Sequence, residues 1–228
     1  MSHPAAAQQL TLSATDGGGL TARTVELFAL VTVLSLVPGL AIMITCFPFI
    51  VTVLAILRQG LGLQQSPPNM LIISLALFLT YFVMEPVFTA SWEHAIQPLI
   101  DGRIDTQTAF TEGMAPFRAF MAHRIDAATF DILRDLRPDF AGVSTARDAP
   151  LSLLIPSFLL SEMQRAFEIG FLIYLPFLII DLVVAAVLMS MGMMMVPPSM
   201  VSLPFKLAFF VVTNGWALVS GALVRSYL

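Results

Sequence analysis

Between Leu27 and Leu57 the chain runs 31 residues without a charged side chain. As a helix such a run extends about 46 Å at 1.5 Å per residue, whereas about 20 residues cross the roughly 30 Å of bilayer hydrocarbon. Pro38 and Pro48 lie inside it. Each lacks a backbone donor, so the expectation is a kinked or broken helix whose freed carbonyls are met by protein or water rather than lipid. Three more apolar runs follow: Met70 to Met84, Ile169 to Val196 with Asp181 as its only charge, and Met200 to Val224 with Lys206 near its start. Four arms of this kind place the chain in a membrane.

Composition narrows what it does there. With 57% hydrophobic and 11% charged residues and a mean hydropathy of +0.87, it is no conventional soluble enzyme, since soluble domains carry about 25% charge. A net charge of -4 and a single lysine offer no basic surface to nucleic acid. Cys46 is the only cysteine, so neither an intrachain disulfide nor a cysteine metal cluster can form. His3, His94 and His123 are scattered through polar segments, and Asp16-Gly17-Gly18-Gly19 lacks the lysine of a phosphate loop. No catalytic residue, metal site or cofactor is expected.

The pattern predicts an all-α chain in four parts. Residues 1–24 form a polar, flexible tail without the charged start and apolar core of a secretory signal. Residues 25–89 form a first apolar hairpin, turning from Arg58 to Asn69 and ending at Glu85-Pro86, where proline disfavours helix. Residues 90–150 form a polar, water-exposed subdomain: 9 acids and 6 arginines fall between Ser91 and Pro150. Its helices are expected at 106–121 and 127–136, with Pro98, Pro116 and Pro138 marking their limits. Residues 151–228 form a second apolar hairpin that turns at Pro197-Pro198-Ser199. The two turns share a loose likeness, Pro-Pro-Asn-Met at 67–70 and Pro-Pro-Ser-Met at 197–200. Matching interrupted arms point to transport machinery, with chance as the competing explanation. Arg58, basic in a short loop, favours a cytosolic first turn, with both termini and the polar segment on the other side.

Charges within apolar arms are costly and need partners or water. Glu162, Arg165 and Glu168 stand at i, i+3 spacing. They suit an ion-pair ladder at a helix start, or a contact from one of the carboxylates to Lys206 or an arginine of a neighbouring subunit. Asp181 has 12 uncharged residues before it and 24 after it, so another helix, water or a proton must answer it. A proton relay is one use of such a group. The densest feature is Met189-Ser190-Met191-Gly192-Met193-Met194-Met195, which with Met200 holds 6 of the 13 methionines. Two readings stay open: gap-filling at a helix end, or a ring of flexible thioethers that closes on itself and re-packs around passing chains. Gly192 and the double proline would restrict this segment as a loop.

Leu61-Gly62-Leu63-Gln64-Gln65-Ser66-Pro67-Pro68-Asn69 and Leu75-Ala76-Leu77-Phe78-Leu79-Thr80 resemble the N-terminal signature of the FliP family of flagellar export-gate proteins. Ala166-Phe167-Glu168-Ile169-Gly170-Phe171, the run 175–184, the run 189–198 and Ser202-Leu203-Pro204-Phe205-Lys206 resemble further family motifs in order. The resemblance implies a non-enzymatic subunit of the type III export gate. About five copies would assemble with FliQ and FliR into a helical hetero-oligomer, alongside FlhA, FlhB and the assembly factor FliO. That gate guides unfolded flagellar proteins across the bacterial inner membrane at the flagellar basal body. It also implies kinked membrane-associated hairpins with a substantial periplasmic portion, a methionine gasket at Met193, Met194 and Met195, and an inter-subunit charge contact through Glu162 and Lys206. Many members carry a cleavable signal, unlike the first 24 residues here. Virulence-type secretion systems hold a homologous subunit, SctR; the Ser190-Met191-Gly192 and Val196-Pro197-Pro198 variants favour the flagellar branch. The competing class is a proton-coupled transporter using Asp181 and Glu168.

Overall fold

The computed structural model describes residues 17–63, 67–193 and 195–227, with the side chains of 17–22, 33, 34 and 36–38 excepted. Residues 1–16 of the polar tail, Gln64-Gln65-Ser66 of the first signature, and Met194 lie outside the described residues. All regular structure among the described residues is helical. Helix α1 (Gly17–Met43) starts inside the segment read as a flexible tail, because nothing from Leu20 onward breaks the helix of the first arm. Its residues up to Leu40 form a compact unit of their own, with exposed apolar side chains such as Val25, Phe28 and Val31.

The remaining elements form the second unit. The first arm breaks at Ile44–Cys46, next to Pro48, where the Thr45 hydroxyl accepts the Phe47 N–H at 3.3 Å and donates to the Ile42 carbonyl at 2.8 Å. At Pro38 the helix continues. Helix α2 (Phe47–Gly60) is the centre of the unit: Phe49, Ile50, Val53, Leu54 and Leu57 are fully or almost fully buried. Helix α3 runs from Asn69 to Ile100 through a π-helical turn at Trp92–Ile96. It passes Pro86, where the sequence predicted an end, and so crosses the expected boundary at residue 89. A proline costs one intrahelical bond, which packed apolar helices absorb more readily than water-exposed ones.

Helices α4 (Thr106–Arg124) and α5 (Ala127–Asp135) match the two predicted in the polar segment, except that Pro116 lies within α4 rather than at its limit. Asp105 and Asp126 cap them by accepting N–H groups of Gln107 and Thr129. The Thr108 hydroxyl holds the Asp105 carboxyl below its usual range. The Thr129 N–H does the same for Asp126. Both helices pack on helix α6 (Leu151–Ser190) around Met121, Phe130, Phe140, Leu154 and Phe158. Helix α6 also lies along α2. At Gly170 an added Cβ would stand 2.4 Å from Ile56 Cδ1, so glycine sets how closely these two helices approach. The chain returns through α7 (Pro198–Val212) and α8 (Gly215–Arg225), which meet at 61° over Asn214 in the left-handed region. Asparagine is one of the few residues that adopt it readily.

By length and composition two described helices, Asn69–Ile100 and Leu151–Ser190, are able to cross a membrane, or three if α7 and α8 make one bent span. Phe78, Phe171, Leu182 and Val212 are among many large apolar side chains they leave exposed. A surface of that kind calls for lipid or partner subunits.

Candidate functional site

Of the charged residues singled out in the sequence, Glu162 and Arg165 belong to one cluster and Asp181 and Lys206 to a second. In the first, Glu162 sits about three turns into α6, fully buried, and not at a helix start. Arg124 Nε, from the last turn of α4, donates to Glu162 Oε1 at 2.8 Å, and the Tyr227 hydroxyl donates to Oε2. Arg124 Nη1 donates to the Ser226 carbonyl at 2.8 Å. The guanidinium lies 4.0 Å from the centre of the Tyr227 ring, a cation–π contact that partly compensates its Nη2, which is buried with no hydrogen-bond partner. Phe49 meets the same tyrosine edge-on and Phe120 stacks on it. One carboxylate thus fastens the segment after α8 to α4, α6 and α2.

Arg165 stands 3.8 Å from Glu162 on the outer side of the cluster. Glu168 departs from the expected ladder: it accepts a hydrogen bond from Gln164 at 3.2 Å and is exposed. Arg124 and Tyr227 escaped the sequence reading. Arg124 belongs to the polar segment read as water-exposed, and it is buried because α4 ends against α6.

In the second cluster Asp181 is answered by another helix, one of the three solutions open to it. Lys206 of α7 donates from Nζ to Asp181 Oδ2 at 2.6 Å and to the Gly60 carbonyl at the end of α2 at 3.1 Å. Ser202 Oγ, one turn earlier on α7, donates to Oδ1 at 2.5 Å. Beside this pair lies a cavity of about 800 Å³ lined by Arg58, Gly62, Asn69, Ser199 and Lys206, so both double-proline turns border the same space. Within one chain, then, Glu162 and Lys206 each have a partner, and neither is the other's.

The methionine turn closes α6. Gly192 takes φ +77°, its N–H bonds the Met189 carbonyl at 3.0 Å, and the Met193 N–H bonds the Leu188 carbonyl at 3.0 Å. This is a Schellman closure, in which a left-handed glycine satisfies the last helical carbonyls. Met189, Met191 and Met195 stand exposed, Met195 almost entirely.

Compared with known proteins, residues 30–223 match the model of the FliP family. The chain belongs to that family. It is 51% identical over 211 residues to the flagellar biosynthetic protein FliP of Caulobacter vibrioides, covering 92% of this chain and 79% of that protein. Agrobacterium fabrum FliP is 46% identical over 92% of this chain and 86% of its own length. Bacillus subtilis FliP is 45% identical over 90% and 92%. FliP proteins serve flagellar export as structural components and are not enzymes. With its apolar helices, this chain is a membrane-associated member. The FliP match starts at residue 30 and covers Arg124, Glu162, the Asp181–Lys206 pair and the methionine turn, ending before Ser226 and Tyr227.

Proposed function

We propose that this chain is a pore-forming subunit of the flagellar export gate and that the methionine turn seals the closed pore. About five copies, with FliQ and FliR, form a cone at the inner membrane, part of it on the periplasmic side, which works with FlhA and FlhB, is assembled with FliO, and passes unfolded flagellar proteins. The observation that carries the reading is the turn itself. Its backbone as far as Met193 is fixed by the Schellman closure, while the side chains of Met189, Met191 and Met195 are largely exposed. A fixed backbone bearing flexible, apolar side chains suits a seal that must give way and re-form. Exposed apolar faces on α3, α6 and α7 supply surface for neighbouring subunits and lipid.

Replacing Met193, Met194 and Met195 together by alanine is expected to leave assembly intact and make the closed gate conduct ions, read as membrane conductance of the reconstituted complex. Unchanged conductance would remove the gasket role.

The same reading pairs Glu162 with Lys206 of the partner subunit. Because both are engaged inside one chain, that contact forms only if partners exchange on assembly. Alanine at either position should lower the yield of complex. The double reversal Glu162→Lys with Lys206→Glu discriminates, since within a chain it sets a lysine against Arg124. Recovery of complex supports the exchange; a yield below both single variants leaves the intrachain pairs as the sole role.

A further inference from the structure

We propose that Met189, Met191, Met193 and Met195 bind a soft monovalent cation, Cu(I) or its closed-shell analogue Ag(I), through thioether sulfur. For a seal it is the flexible apolar bulk of these side chains that matters. What methionine adds is a neutral, polarizable sulfur donor. Among the described residues no group of three or more histidine, cysteine, aspartate or glutamate side chains is able to hold a metal ion, so Zn²⁺ and Ca²⁺ find no ligand set here. Thioethers select Cu(I). The cation must also be monovalent: with no carboxylate in the turn, a divalent ion meets a Born penalty roughly four times larger.

The backbone brings two of the donors, Met189 and Met193, close together. The bonds from Gly192 to Met189 and from Met193 to Leu188 fold the chain back on itself, bringing residue 193 beside 188 and 189. Met189, Met191, Met193 and Met195 are 61%, 65%, 39% and 98% exposed, so their sulfurs are free to converge on an ion without giving up core packing. The proposal rests on the gate reading in one respect, that turns of neighbouring copies face one another and complete the coordination. A bound ion would then hold the closed turns together.

The test is titration of Ag(I), in chloride-free buffer, into the purified complex of this chain with its gate partners. Heat and silver retained after desalting are the readouts. Saturable binding is expected in the unaltered complex, at least tenfold weaker binding in the Met191→Leu, Met193→Leu, Met195→Leu triple variant, and no change in Met163→Leu, an exposed methionine elsewhere on α6. Equal silver binding by the triple variant, or none by the unaltered complex, overturns the proposal. If the triple variant does not assemble, Met195→Leu alone decides, with weaker binding supporting the site and equal binding overturning it. A leaking alanine variant together with an absence of silver binding defeats the metal site and spares the gate. Silver binding with a non-leaking alanine variant does the reverse.

Discussion

Arg124→Ala is expected to destabilise the chain by about 3–5 kcal/mol, the cost of leaving a buried carboxylate without its cation. Glu162 has no access to water. Its remaining donor is the Tyr227 hydroxyl, and Arg165 at 3.8 Å is itself partly solvated. The variant also removes the bond to the Ser226 carbonyl and the contact with the Tyr227 ring, so the last residues should detach from α4 and α6. Tyr227→Phe should cost less, about 1–3 kcal/mol, since Glu162 keeps Arg124 and loses one hydrogen bond. Replacing both charges, Arg124→Met with Glu162→Leu, should recover much of the loss, because two apolar side chains in place of a buried pair remove the desolvation penalty along with the attraction. Thermal unfolding of the purified protein in detergent gives the order. A double variant as unstable as Arg124→Ala would mean that shape, rather than charge, holds the cluster.

This cluster also marks how far the sequence could be read. Helices show in the hydropathy of a chain whose arms carry almost no charge, and Gly192 with Pro197-Pro198 announces the turn that follows α6. Helix ends were less legible. Pro86, Pro156 and Pro176 lie inside helices, because packed apolar helices absorb a single missing donor that would end a helix in water, and Pro116 lies inside α4 of the polar segment. Ion pairs were legible only at helical spacing. Glu162 and Arg165 meet as i, i+3 neighbours, but Arg124 and Tyr227 come from 38 and 65 residues away, and no local pattern records that. Asp181, a lone charge in an apolar arm, requires an answer from elsewhere in the chain, from water or from a proton. The lysine 25 residues on became that answer once α7 folded back along α6.

Asp181→Ala is expected to cost about 3–5 kcal/mol, and more than Lys206→Met, although the two break the same bond. The reason is unequal burial. The Lys206 side chain is 6% exposed and the Asp181 side chain 32%. Without Asp181, the ammonium keeps only the Gly60 carbonyl in an apolar surround. Without Lys206, the carboxylate keeps the Ser202 hydroxyl and stays about a third exposed, so its loss should be about 1–2 kcal/mol. Asp181→Leu with Lys206→Met removes both charges from the apolar arms and should stand close to the unaltered chain in thermal unfolding. Such a protein would separate fold from function: if it folds normally yet fails to export, the pair serves the working gate rather than the subunit's stability. Equal losses for the two single variants would instead mean that Lys206 is hydrated from the neighbouring 800 Å³ cavity, and that this space carries water to the ion pair.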